Sequence, residues 1–212
     1  MYVMRLLTAA DRQAAVTLVQ ERMRALDARA PGKAGSAPLH IAAFLGTPPS
    51  PGECVTGLFE GDVLLAVLVL ARSNGLLPSP PAGQHTQAEL VVVDAYTHPS
   101  MRELRLGILL SMWVSDHAAR LTPPASHVTA VVRDPYLASY LCQMCAWVED
   151  RHVQEAGRHE IVLHRPAEEL RNLNQAITTE SALITVFNHC GTAGDDVREA
   201  LPSGIPPLRG AL

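Results

Sequence analysis

"HPSMRELRLGILLSMW", His98–Trp113, is the stretch whose reading decides the fold. Pro99 closes any strand that precedes it, because proline cannot donate to a sheet ladder. Arg102, Glu103 and Arg105 put three charges in four positions, and Gly107 is the single glycine before an apolar run. A segment built only to turn a corner would use Gly, Asn or Ser. A charged knuckle between an apolar strand and an apolar helix reads instead as a candidate site.

The flanks are regular. "AELVVVDAYT" (88–97) is rich in β-branched residues and apolar on both faces, which predicts a central strand. "LGILLSMWVSDHAARL" (106–121) predicts a buried helix of about four turns. "HVTAVV" (127–132) predicts a second central strand. "DPYLASYLCQMCAW" (134–147) predicts a helix with a proline at its first turn. "AWVEDRHV" and "RHEIVLHR" predict two further strands around "QEAG".

Toward the N-terminus, "MYVMRLL" predicts a short strand and Thr8 a helix cap. Ala14, Val16, Leu18, Val19, Met23 and Leu26 follow at helical spacing. "LHIAAFLG" predicts a second helix. "CVTGLFEGDVLLAVLVLAR" predicts a hairpin turning at Glu60-Gly61-Asp62. "SNGLLPSPPAGQHTQ" is a loop long enough to suggest a function. The order is β-α-α-β-β-β-α-β-α-β-β, expected to form one domain over 1–165. From Pro166 the composition changes. "PAEELRNLNQAI" and "TESALITVFNHC" look helical, and the rest of 166–212 looks loosely ordered, so a helical and irregular extension is expected.

With 212 residues, 48% of them hydrophobic, the chain can bury a sizeable core. A formal charge of -4 leaves no large basic field, which argues against nucleic acid as a partner. No apolar run approaches the roughly eighteen residues of a membrane span, so no membrane partner is expected. The charges in "MYVMRLLTAADRQ" come too early for a signal peptide, and a cytoplasmic protein is expected. Cys142 and Cys145 form a CxxC, but it sits in an apolar helical pattern without a second pair or nearby histidines, so core thiols are the expected reading. Walker, GxGxxG and GxSxG motifs are absent from the sequence.

The element order resembles the GNAT superfamily of N-acyltransferases over about Met1–Arg165. "MRLLTAADRQAAVTLV" looks like that family's first strand and helix, with an Arg near the strand and an Asp at the helix start. "THPSMRELRLGILL" resembles V-x-P-x-x-R-G-x-G-I-G-x-x-L, with Arg102 at the opening Arg/Gln and Gly107 at the last Gly. "PYLASYLCQMCAW" resembles N-x-x-A-x-x-L-Y-x-x-x-G-F, with Ala138, Leu141, Ala146 and Trp147 in register. The resemblance implies an α/β (α+β) fold with a mixed, mostly antiparallel central sheet flanked by helices. It also implies transfer of an acetyl or other short acyl group from CoA to a small-molecule or protein amine, in a ternary complex.

By the same resemblance, Arg102, Glu103, Leu104, Arg105, Leu106, Gly107 and Ile108 would hold the acetyl-CoA pyrophosphate. Ala95, Tyr96 and Thr97 would bond the pantetheine arm, and Asp134 would add a donor contact. The physical basis is an anion at a helix N-terminus, where unpaired amides and the helix dipole attract negative charge. Glu103 and Arg105 stand where the family has glycines. Arg105 can pair with phosphate, whereas Glu103 must face solvent or an arginine.

Acyl transfer needs a base for the amine and an acid for the leaving thiolate. Glu89, at the start of the apolar strand, is the candidate base. Some members of the family carry this group two residues further on, where this chain has Val91. Asp94 is a second candidate, facing away from Glu89 unless a bulge intervenes. The family's acidic Tyr maps to Cys142, so Tyr140 serves only if the helix register is shifted. Tyr96 and Tyr136 are nearby. The missing Tyr and the charged loop support an alternative, a non-catalytic CoA-binding or protein-interaction module. A plain α/β domain without CoA would lack a splayed cleft between the fourth and fifth strands. Leu183, Ile184, Val186 and Phe187 form an apolar face suited to intramolecular packing or a homodimer.

Overall fold

The computed structural model describes residues 1–28, 52–73, 88–101, 105–155, 158–183 and 185. It begins with β1 (Tyr2–Leu6), a 3-10 turn (Ala9–Asp11) and α1 (Arg12–Asp27). β2 (Glu53–Glu60) and β3 (Val63–Ser73) form the expected hairpin, closed by Gly61 at a φ of 58°. β4 (Glu89–Thr97), α2 (Leu106–Ala119), β5 (His127–Val132) and α3 (Pro135–Cys145) follow. β6 (Val148–Glu155), β7 (Arg158–Pro166), a helical turn at Leu173–Ala176 and β8 (Ile177–Thr179) complete the order. The expected helix in "LHIAAFLG" and the loop "SNGLLPSPPAGQHTQ" lie outside the described residues, apart from Ser73 at the strand end.

The described strands form one eight-stranded sheet in the order β6-β7-β5-β4-β3-β2-β1-β8. Only β4–β5 and β1–β8 are parallel. This is the mixed, mostly antiparallel sheet that the resemblance implies. Each face has its own apolar cluster. On one, Val67, Val69 and Tyr96 pack against Ala15, Leu18 and Val19 of α1. On the other, Leu68, Leu70, Leu90, Val128, Ala130 and Leu163 pack against Leu106, Leu110, Trp113 and Val114 of α2. α2 is apolar nearly all round because it is enclosed: even Ser111, Ser115 and His117 are buried. Its hydroxyls are matched, Ser111 Oγ accepting from Trp147 Nε1 and Ser115 Oγ donating to the Pro166 carbonyl.

The segment after β7 departs from expectation. "PAEELRNLNQAI" is helical only over Leu173–Ala176. Its backbone amides are drawn to other partners: Ala167 to the Ser126 carbonyl, Glu168 to Ser115 Oγ, and Leu170 to Asp116 Oδ1. Those bonds replace the i to i−4 ladder a helix would need. Ile177–Thr179 then pairs with β1, and Leu173, Ile177 and Leu183 enter the α2 core. Of the apolar face expected in the tail, Ile184, Val186 and Phe187 lie outside the described residues.

Candidate active site

Two features of β4 shape the site. The first is a bulge: Leu70 pairs with Val92 and Val69 with Asp94, leaving Val93 as the extra residue. The bulge returns Asp94 and Tyr96 to the face that carries Glu89 and Val91. The second is a splay. β4 and β5 pair from Glu89↔His127 to Val92↔Ala130 and no further, while β4 runs on to Thr97. A gap opens at the carboxyl ends of the two parallel strands, where α/β sheets bind ligands. The edge of Val93–Thr97 facing that gap has no strand partner among the described residues.

Both helices that follow these strands start beside the gap. Arg105 caps α2 in the left-handed region, φ 49° and ψ 39°, without a side-chain cap bond. Its carbonyl accepts from Ile108 and Leu109, and the amides of Leu106 and Gly107 precede the intrahelical ladder. The glycine-like position in the loop thus has a glycine-like conformation, adopted here by an arginine. Leu106 is buried and Ile108 packs on the core, so these residues offer a ligand only their backbone. Arg102, Glu103 and Leu104 lie outside the described residues. Asp134 caps α3, its carboxylate accepting from the Tyr136 amide.

Glu89 lies on the α1 face of the sheet and is largely sheltered, with 14% of its side chain exposed. Thr129 Oγ1 donates to Glu89 Oε1, and His127 Nε2 lies 3.5 Å from the same oxygen. Thr129 pairs with Val91, two pairs along from Glu89↔His127, so the carboxylate leans toward the vertex of the splay. Burial pushes the Glu89 carboxyl up, but the hydrogen bonds from His127 and Thr129, with the His127 charge, outweigh it and hold it below its ordinary value. Glu89 is ionised at neutral pH. His127 is raised in turn by its bond to Glu89, against the opposing effect of burial. The sequence reading did not single out His127 or Thr129. The signal was the alternation His-x-Thr at the start of an otherwise apolar strand.

Asp94 shares this face but is engaged, accepting from the Tyr96 hydroxyl. Burial, with the Asp94 charge, pushes the Tyr96 phenol well up. The Tyr96 side chain packs under α1, so only its backbone, with that of Ala95 and Thr97, borders the gap. Tyr140 is on the opposite face of the sheet. Its ring lies over the first turn of α2, where a Cβ on Gly107 would come 3.1 Å from the hydroxyl. Burial and the neighbouring Cys145 raise the Tyr140 phenol, against Arg105, which lowers it. The sequence candidates therefore fall into two groups: Glu89 with His127 and Thr129 on the α1 face, and Tyr140 with Arg105 and Gly107 on the α2 face.

Cys145 is buried in the core and Cys142 packs against it. Among the described residues no group of three or more His, Cys, Asp or Glu side chains is placed to hold a metal. No helix among them is long and apolar enough to cross a membrane. A separate cleft of about 490 Å³ lies between the C-terminal half of α2 and residues 170–179, away from the splay.

No family model and no curated protein matches the sequence. Solved structures do resemble the fold. The ribosomal-protein-S18-alanine N-acetyltransferase of Escherichia coli superposes with a TM-score of 0.54 at 14% identity, over 81% of this chain and 97% of that one. A chimeric spermidine N-acetyltransferase from Vibrio cholerae gives 0.55 at 15%, over 78% and 95%. An N-acetyltransferase of Thermoplasma acidophilum, solved with coenzyme A, gives 0.50 at 10%, over 78% and 99%. These superpositions, with the splayed parallel pair of β4 and β5, show that the chain has the fold of the GNAT N-acyltransferases.

Proposed function

We propose that the protein is an acyl-CoA-dependent N-acyltransferase that moves an acetyl or other short acyl group onto an amine in a ternary complex. The observation that carries this reading is the gap between β4 and β5, with the α2 N-terminus, whose cap residue Arg105 makes no side-chain cap bond, at its mouth and the ionised Glu89 three pairs below its vertex. The gap passes through the sheet, so a donor seated in it is open to an acceptor from the α1 face.

The residues have assignable roles. Backbone amides at Leu106 and Gly107, with Arg102 and Arg105, bind the donor pyrophosphate. The free edge of Ala95–Thr97 bonds the pantetheine amides as a strand would, and Asp134 fixes the start of α3 beside them. Glu89 removes a proton from the acceptor ammonium, directly or through one water. As the N–C bond forms and the C–S bond breaks, Tyr140 supplies a proton to the thiolate, and its raised phenol keeps that proton available at neutral pH. A cytoplasmic setting suits acyl-CoA chemistry and the thiols of Cys142 and Cys145.

The test is release of free CoA thiol from acetyl-CoA with a panel of small amines and peptide N-termini. Saturable acetyl-CoA binding with amine-dependent thiol release is expected. The absence of a thermal shift with acetyl-CoA would sink the reading. Binding without turnover on any acceptor would favour a non-catalytic CoA-binding module, the reading that Cys142 at the family's Tyr position supports.

A further inference from the structure

We propose that His127 is the proton exit of the site, a positioning residue that holds the Glu89 carboxylate and relays the proton it collects to solvent. This rests on the acyltransferase reading above. A base with only 14% of its side chain exposed must be emptied after each turnover. The geometry supplies one ordered route. His127 Nε2 faces Glu89 Oε1 at 3.5 Å, and His127 Nδ1 lies 2.8 Å from Ser126 Oγ. Ser126 is exposed, and the His127 side chain is 36% exposed. The relay thus runs from a sheltered carboxylate through an imidazole at the boundary to a surface hydroxyl. Thr129 fixes the far side of Glu89 and cannot serve as an exit, being itself buried.

The proton balance is simple. The acceptor ammonium gives a proton to a Glu89 oxygen. Glu89 passes it to Nε2 of His127 in its Nδ1–H tautomer, giving the imidazolium; the Nδ1 proton then leaves by way of Ser126 Oγ to water, and exchange of the ring's remaining proton with water restores the Nδ1–H tautomer for the next turnover. The step needs no other reactant. The charged and titratable groups facing His127 are Glu89 from β4, His164 from β7, with ring centroids 6.4 Å apart, and Asp150 from β6. Arg151 acts on Glu89 from the same strand. The carboxylates favour the imidazolium and dominate, which matches the upward direction of the His127 shift.

Three measurements test the relay. The first needs no activity: NMR titration of the His127 ring in the full chain. A midpoint above the ordinary value of about 6.5 is expected, falling back toward it in Glu89→Gln. The second is the pH profile of kcat/KM for His127→Gln, which keeps a donor beside Glu89 but cannot carry a proton. The wild-type ascending limb should follow His127. In the variant that limb should move down into the carboxylate range, with a plateau lowered about tenfold or more. Added imidazole should restore activity to His127→Ala and leave Glu89→Gln unchanged. An unchanged limb in His127→Gln, or an uncoupled pair in an active enzyme, would overturn the relay alone. A coupled pair in a chain that acylates no amine would overturn the acyltransferase reading and the relay with it.

Discussion

Glu89 and Arg105 carry opposite kinds of functional cost. Glu89 keeps its charge in a sheltered place only because His127 and Thr129 solvate it in place of water. Glu89→Gln should lower kcat about 100-fold or more and leave the acetyl-CoA dissociation constant unchanged, measured by thiol release and calorimetry. Arg105 holds a left-handed conformation that costs a non-glycine residue about 1 kcal/mol or more. Arg105→Gly should raise the melting temperature by about 2–4 °C while weakening acetyl-CoA binding through the lost guanidinium. Glu89 was legible in the sequence as a lone charge opening an apolar strand. Its partners were not, because the parallel pairing that brings residues 127 and 129 beside it joins segments about forty positions apart. The side of the sheet on which Asp94 lies depended on a bulge that alternation alone cannot reveal.

At the scale of elements, the entry into α1 shows how local chemistry fixes a crossing. Arg5 of β1 binds Asp11 through two hydrogen bonds of 2.7 Å, and Asp11 also accepts from the Thr8 amide and hydroxyl. Arg5 lies over the Phe59 ring as well, 3.8 Å from its centroid. The Arg5 bonds hold the Asp11 carboxyl well below the usual range, with burial opposing and Thr8 assisting. A depressed carboxyl stabilises the fold above its unfolded value, about 3.9, and loses that contribution as pH falls through the folded value. Asp11→Asn should therefore cost about 1–2 kcal/mol at pH 7, and the gap to wild type should narrow below pH 4 in urea melts. The Arg and Asp of this pair were visible in the sequence. So were β2 to β7, whose residue types and periodicity agree with their final environments. The segment after Pro166 was not, because its amides bond to Ser115, Asp116 and Ser126, partners that no local pattern announces.

The whole molecule depends on that last segment more than its composition suggests. β8 covers the edge of β1, and Leu173, Ile177 and Leu183 fill the same core as Trp113 and Leu110. Trp113 is buried with its indole N–H donated to Thr179 Oγ1 at 2.9 Å. A chain ending at Arg165 would strip three apolar side chains from the core, at about 1.5–3 kcal/mol each. It would also leave the Trp113 donor without its acceptor and open a strand edge to pairing with other chains. Against a total stability of about 5–15 kcal/mol, that loss is enough to remove the cooperative fold. The chain truncated after Arg165 should be recovered mainly in the insoluble fraction, with no cooperative thermal transition in what remains soluble. The milder variant Thr179→Val keeps the strand and removes only the Trp113 acceptor, so it should fold with a lower melting temperature and unchanged acetyl-CoA binding. A truncated chain as soluble and as cooperative as the full one would show that residues 166–183 lie on the core without supporting it.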